Sequence, residues 1–361
     1  MFNTIARRQL FGAALVSGMA CLSAAPGAAT DLETVRIGWC TNVINSGAVP
    51  WAVAQSEGYF AEEGLELRLV PVSSGNDCVT FVANGELPYA LPALEPVVSI
   101  VARGFEGRSF FTLYSGPTWR VAVPEASDAQ AVADLRGRRV GVTSMSSVMV
   151  TLVKGLFTNA GLDPEADVSL IAVGAPANAA LALRRNEVDA IAMWDIANAV
   201  IGRLGSPLRE LDVPELDAPS LALFSSAEYF EANRDQATRI ARAYAKGATF
   251  TLANPEAALN ILYEVYPETR TPGMDRAELM QNDLDFIAMR RAIWEPTEAM
   301  NHQWGYGAIP MYGAYLENLA NWGLVDRVVQ PEEFITNELI DEINNFDAEA
   351  IRADAMARQP G

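Results

Sequence analysis

Apolar positions along the chain follow two periods. Val35–Trp39 and Leu65–Val72 alternate apolar and polar residues, the spacing of half-buried strands. Between them, Pro50–Gly64 has helical spacing, with proline near the first turn, an interruption at Gly58 and a stop at Gly64. Ser73–Asp77 reads as a turn and helix cap, Cys78–Asn84 as the helix, and Tyr89–Leu91 as a third strand that leads through Pro92–Pro96 into a helix ending near Gly104. Phe110–Tyr114 and Trp119–Val123 read as strands joined by the turn Ser115–Thr118. A tight turn then precedes a strand within Leu135–Thr143, Ser144–Ser147 caps the helix Val148–Ala160, and a strand Val168–Val173 and a helix Ala177–Arg185 follow.

Glu187–Ala199 holds a short apolar strand, Ala190–Met193, that ends in Trp194 and Asp195 and runs directly into a helix. The grammar of Gly75–Gly104 therefore repeats in Gly174–Gly205: turn, helix, stop, acidic turn, short strand, loop, helix. Alternating strands and helices predict parallel sheets with right-handed crossovers. Two similar α/β lobes are expected, little alike in sequence. Ligands in such sheets sit outside the carboxyl ends of the strands, so a flat ring and a carboxylate at that point mark a crevice. After a last strand at Leu221–Ser225 the pattern turns helical, in Ala227–Asn254, Pro255–Tyr266, Asp275–Ile287, Ile309–Trp322 and Pro331–Asp347. These helices have no sheet of their own and are expected to cover the first lobe.

Composition narrows the function. Half of the 361 residues are apolar and 20% are charged, an ordinary globular balance. The net charge is −19, and no basic run occurs, which argues against nucleic acid and anionic lipid as partners. Arg7 and Arg8 precede an apolar stretch from Leu10 to about Ala25, and Gly27–Ala29 offers a small-residue cleavage site. Residues 1–29 are read as a signal peptide, taking either the twin-arginine or the general secretion route. Cys21 lacks the aliphatic residue that a lipoprotein signal places three positions earlier. The mature chain is expected in the periplasm as a soluble monomer.

Chemistry-bearing motifs are sparse. His302 is the lone histidine and no Cys-x-x-Cys spacing exists, so neither a zinc site nor a Ser-His-Asp triad is expected. The nucleophile elbow, the phosphate-binding loop and the dinucleotide fingerprint are all missing, so no enzyme and no cofactor are expected. Binding residues are easier to find. Trp39, Cys40, Asn42, Asp77 and Glu95 fall at strand ends of the first lobe, and Ser144, Ser146, Ser147, Trp194 and Asp195 at those of the second. Tryptophans offer stacking area, the helix start near Ser146 favours an anion, and Glu95 and Asp195 favour an amine or a ring N–H. Each has a plainer reading: Asp77, Ser144, Ser146, Ser147 and Asp195 as helix caps, Glu95 as a helix-start charge, Trp39 and Trp194 as core. Cys40 and Cys78 end the first two strands and are either bridged, in an oxidising compartment, or two separate thiols.

Gly58–Leu67, Phe81–Leu87, Asp134–Val142, Glu187–Ala190 with Trp194, and Trp322–Val325 together resemble a known family. The pattern is similar to periplasmic substrate-binding proteins of ABC transporters, in the class that takes taurine, aliphatic sulfonates, nitrate and thiamine pyrimidine precursors. The resemblance implies an α/β fold class of two doubly wound lobes with a ligand cleft between them, periplasmic binding protein-like II, with extra C-terminal helices on lobe one. Lobe one then comprises residues 30–118 and 222–361, and lobe two residues 119–221. It also implies an ABC permease as partner and ligand contacts from Cys40–Asn42, Leu94 and Glu95, the Ser-rich helix start and the Trp194 loop. Sulfonate binders carry small hydroxyl residues where Leu94–Pro96 stands here. That departure shifts the expected ligand to an aminopyrimidine-like or other nitrogen heterocycle, with a taurine-like aminosulfonate as the alternative. An exported enzyme or a solute sensor on the same scaffold remains a rival. A related fungal enzyme makes the thiamine pyrimidine with histidines and iron, a chemistry that the single His302 argues against.

Overall fold

In the computed structural model, residues 32–270 and 273–358 are described. The expected leader, with Arg7, Arg8 and Cys21, lies outside them. Among the described residues, ten strands form two five-stranded sheets. In chain order they are β1 Glu33–Trp39, β2 Leu65–Pro71, β3 Tyr89–Ala90, β4 Gly107–Thr112, β5 Trp119–Pro124, β6 Arg139–Val142, β7 Ser169–Ala172, β8 Ala190–Trp194, β9 Leu208–Glu210 and β10 Ala222–Ser226.

The sheets share one plan. In the first, of order β2-β1-β3-β10-β4, β1 runs parallel to β2 and β3, and β10 inserts antiparallel between β3 and β4. In the second, of order β7-β6-β8-β5-β9, β6 runs parallel to β7 and β8, and β5 inserts antiparallel between β8 and β9. Each antiparallel strand reaches its sheet by crossing over from the other one, so the chain passes between lobes at 113–118 and again at 211–221. These two crossings hold the carboxyl ends of the parallel strands in both sheets around one cleft.

Local chemistry explains the key elements. Ala190–Met193 of β8 are fully buried on both faces, with Ala190 and Ala192 packed on one side of the sheet and Ile191 and Met193 on the other. Ser74 caps the helix Gly75–Ala83 by accepting from the Asp77 N–H, and Ser147 caps Val148–Asn159 by accepting from Met149. The helix Asp195–Arg203 starts without a loop, because Trp194 is both the last residue of β8 and the helix cap.

The first-sheet core is aromatic, with Trp51, Tyr89, Phe110, Tyr244 and Trp294 fully buried. Trp51 and Tyr244 meet at a centroid distance of 4.5 Å. That contact needs the helices Val49–Ser56 and Arg234–Ala253 to approach closely. Gly247 allows it, since a Cβ there would stand 2.1 Å from the Pro50 carbonyl oxygen. The late helices Arg234–Ala253, Pro255–Val265, Arg276–Trp294 and Ala348–Ala357 all join this core. The helix Gly313–Asn321 reaches further, to the second lobe, where Trp322 lies on Gly155 of the helix Val148–Asn159.

Two expected helices take another form. Pro331–Asp347 is broken rather than continuous: Ile335 bridges to Ser109 and adds a stretch of chain to the β4 edge, leaving only Ile340–Ile343 as α-helix. The Ser109 amide donates to the Phe334 carbonyl at 2.6 Å, and this ladder outweighs the helical spacing. Ala227–Asn254 is split at Asn233, whose backbone leaves the helical region. Among the described residues no helix is long and apolar enough to cross a membrane.

Candidate functional site

A cleft of about 730 Å³ opens between the sheets. Lobe one contributes Trp39, Cys40, Ser74–Asn76 and Glu95, lobe two contributes Trp119, Ser146, Ser147 and Trp194, and Tyr114, Phe286 and Arg290 close its floor. Of the residues expected from sequence, Trp39, Cys40, Glu95, Ser146, Ser147 and Trp194 therefore share one space.

The other four do not line it. Asn42 sits on an exposed loop. Asp77 is exposed and turned to its own helix start, where it accepts from the Ser74 hydroxyl at 2.9 Å while Ser74 accepts from its amide at 3.2 Å. Ser74 is thus the helix cap, and its hydroxyl proton uses the Asp77 carboxylate locally. Ser144 is half-buried and shares a hydrogen bond of 3.1 Å with Ser146. Asp195 is 2% exposed and ion-paired to Arg290 at 2.6 Å, so its charge is met by the protein rather than by a ligand amine.

Cys40 and Cys78 are bonded, with Cα atoms 5.7 Å apart. The bond ties the loop after β1 to the helix Gly75–Ala83. Trp39, 8% exposed, spends its indole N–H on the Val43 carbonyl at 3.0 Å and offers the cleft only its ring. Across the cleft, Trp119 and Trp194 stand opposite each other in the antiparallel pair of β5 and β8. Cross-strand partners of this kind lie side by side, so the two indoles form a single wall.

Glu95 is the buried carboxyl of the cleft wall. It occupies the first turn of the helix Leu94–Ala102 and is 4% exposed. Its Oε1 accepts from the Trp119 indole N–H at 3.1 Å and from the Tyr315 hydroxyl at 2.5 Å. Its Oε2 is buried with no partner. Burial pushes this carboxyl above its ordinary range, against the pull of the Tyr315 and Trp119 hydrogen bonds.

Arg290 is the site's cation. It is 5% exposed, and its guanidinium lies 4.7 Å from the Tyr114 ring centroid and 5.6 Å from that of Phe286. Its pairing with Asp195 joins the helix Arg276–Trp294 of the first-lobe core to the end of β8 in the second sheet. Asp195 is further fixed by its N–H to the Thr118 carbonyl at 2.9 Å and by the Ile196 amide at 2.7 Å.

Trp119, Arg290 and Tyr315 were not among the residues expected from sequence. Trp119 carried a signal, a tryptophan opening a strand after a Gly-Pro turn. Arg290 and Tyr315 carried none, since they enter from late helices whose spacing records only their own core faces.

Two α/β lobes, two crossings and a cleft at the strand ends define the two-lobed periplasmic binding protein fold. The periplasmic aliphatic sulphonate binding protein SsuA from Escherichia coli shares it, with a TM-score of 0.52 and 20% identity over 75% of this chain and 92% of that one. The chain belongs to the NMT1/THI5-like family, whose model matches residues 45–258. A formylaminopyrimidine-binding protein of Halalkalibacterium halodurans is 28% identical over 254 residues, covering 68% of this chain and 75% of that protein. A 4-amino-5-hydroxymethyl-2-methylpyrimidine phosphate synthase of Legionella pneumophila is 25% identical over 245 residues, covering 66% of this chain and 75% of that protein.

Proposed function

We propose that this protein is the solute-binding component of an ABC importer and captures a small nitrogen heterocycle of the aminopyrimidine type. The observation that carries the reading is Glu95, a buried carboxyl with a free oxygen at a cleft walled by Trp39, Trp119 and Trp194. Indole faces favour a flat ring, and a buried polar atom selects a ligand able to complete its hydrogen bonds. The formylaminopyrimidine-binding relative supports the same ligand class. In the cell the protein works as an exported periplasmic monomer. Open lobes admit the solute, and closure is favoured because only the closed form contacts it from both sides.

A taurine-like aminosulfonate is the second reading, favoured by the helix start at Ser147 facing the cleft. The cleft opposes it, because its lining cation, Arg290, is already paired with Asp195, and a buried sulfonate would lack a counter-charge. Relatives named as pyrimidine synthases raise the enzyme reading. The chain's single histidine, His302, stands outside the cleft lining, which favours binding without turnover.

Thermal-shift measurements with formylaminopyrimidine, riboflavin, taurine and an alkanesulfonate test the proposal. A ligand at 100-fold over its Kd adds ~2.7 kcal/mol to stability. Formylaminopyrimidine is expected to raise Tm and to be recovered unchanged by chromatography. A shift with sulfonates alone rejects the ligand class, and chemical conversion of the pyrimidine rejects the transport role.

A further inference from the structure

We infer that Glu95 meets the ligand as a neutral acid whose Oε2–H donates to a lone pair, so that the site selects an unprotonated ring nitrogen of a heteroaromatic base and discriminates against ammonium groups. The inference rests on the cleft being the solute site, as proposed above, and adds which atom of the solute Glu95 reads.

Hydrogen-bond accounting leads there. Oε1 has two lone pairs, and both are used, by the Trp119 N–H and the Tyr315 O–H. Oε2 is buried and has no partner in the protein. Buried polar atoms in folded proteins are almost always paired, so this oxygen is kept for a partner that arrives with the ligand. What arrives depends on whether Oε2 carries a charge or a proton.

The surroundings supply no cation. From β5 comes a neutral indole N–H, and the neighbouring Arg120 is paired with Glu210. From the helix Gly313–Asn321 comes Tyr315, whose hydroxyl is pushed well above its ordinary value and so stays protonated, while Glu317 points to solvent. The adjacent helix Gly75–Ala83 carries only Asp77, which is engaged with Ser74. Arg290, which also lines the cleft, pairs with Asp195 through one guanidinium nitrogen, while its Nε is buried without a partner. Arg327 binds carbonyls at the opposite end of the Glu95 helix and pairs with Glu333. The remaining support for a charge is the residue's own backbone amide and its first-turn position, where the helix dipole favours an anion. That effect is small beside the penalty of burying an unpaired carboxylate, and the raised carboxyl follows.

A proton on Oε2 turns the free oxygen into a donor. A ring nitrogen lone pair accepts it without moving charge into the cleft. An ammonium has no lone pair and leaves two donors facing each other. The pH dependence has a definite sign. Affinity for a neutral base is full while Glu95 holds its proton and falls as pH rises through the raised carboxyl value.

Two measurements test this. In ligand-free protein, the infrared difference between wild type and Glu95→Gln at neutral pH is expected to contain a protonated carboxyl stretch. A carboxylate band in its place overturns the inference whatever the ligand is. Calorimetry with formylaminopyrimidine is the second. Gln keeps an acceptor for Trp119 and Tyr315 and places an N–H where Oε2–H stood. Glu95→Gln is therefore expected to bind about 10-fold or more tighter than Glu95→Ala and to lose the alkaline fall in affinity. Binding by wild type without net proton release, compared between two buffers, agrees with a neutral acid; release of one proton overturns it. If wild type binds the pyrimidine and the Gln and Ala variants lose it equally, Glu95 acts as a carboxylate and only this inference fails. If wild type ignores the pyrimidine, the ligand class proposed above fails, and the infrared band still decides the state of Glu95.

Discussion

Removing the Arg290 side chain tests how the two lobes are tied. Arg290→Ala leaves Asp195 buried at 2% exposure with only the Ile196 amide on its Oδ1. It also deletes the guanidinium from between the Tyr114 and Phe286 rings. Breaking one side of a buried ion pair costs ~3–5 kcal/mol, because the other charge stays behind uncompensated. Exposed pairs in the same protein, such as Arg291 with Glu295 at 51% exposure each, are worth ~0.2–1 kcal/mol. Burial therefore decides the size of the effect. At ~2–4 °C per kcal/mol for a large domain, the loss lowers Tm by on the order of 10 °C. Thermal unfolding followed by circular dichroism reads it, with Arg291→Ala as the exposed control. Replacing both partners, Arg290→Met with Asp195→Leu, is expected to recover most of the loss, since neither charge is then stranded. A single Arg290→Ala variant within ~1 kcal/mol of wild type refutes the reasoning, because it means the pair is solvated and holds nothing.

Three other outcomes follow from the same structure. Trp194→Ala weakens ligand binding by ~1–3 kcal/mol if the indole stacks on the solute, and unchanged affinity by calorimetry rejects that role. Gly247→Ala drives a Cβ to 2.1 Å from the Pro50 carbonyl and is expected to cost ~1–3 kcal/mol by urea unfolding; a neutral result means the two helices separate freely. Reducing the Cys40–Cys78 bond, which closes a 38-residue separation, costs ~2–4 kcal/mol, so a Tm insensitive to dithiothreitol shows that the bond does not constrain the unfolded chain.

Much of the architecture is readable from pattern, because a buried parallel strand and its following helix leave a local record. Ala190–Met193 is an apolar run that can only be a covered strand or a helix interior, and Trp194 with Asp195 marks where it ends. The repeat of that grammar yields the second lobe. The site is less readable because its decisive partners are distant. Asp195 looks like a free carboxylate until Arg290 arrives from 95 residues away, and the Tyr315 hydroxyl reaches Glu95 from 220 residues away. Asp77 misleads for the opposite reason, since its carboxylate is satisfied three residues back by Ser74. Pro331–Asp347 keeps a helical spacing that the β4 edge overrides, and no local pattern reports an unpaired strand edge waiting in the fold.

Glu95 and Asp195 occupy matching places, each in the first turn of the helix that follows the third parallel strand of its sheet. Their partners divide their roles. Asp195 faces a guanidinium and is spent on holding the lobes, so adding a ligand there means breaking a buried pair. Glu95 faces only an indole N–H and a phenol O–H, and one oxygen is left over. The protein as a whole carries −19, yet Asp195 is paired with Arg290, and Glu95 as the neutral acid inferred above presents no charge to the cleft. Selection inside then rests on hydrogen-bond matching and ring shape rather than on net charge. Buried neutral contacts are little screened by ions, whereas an exposed charge pair weakens with salt. Affinity for the bound heterocycle is therefore expected to stay nearly constant from low to high ionic strength. A steep fall with salt would place a charge–charge contact at the centre of recognition and move the solute away from Glu95.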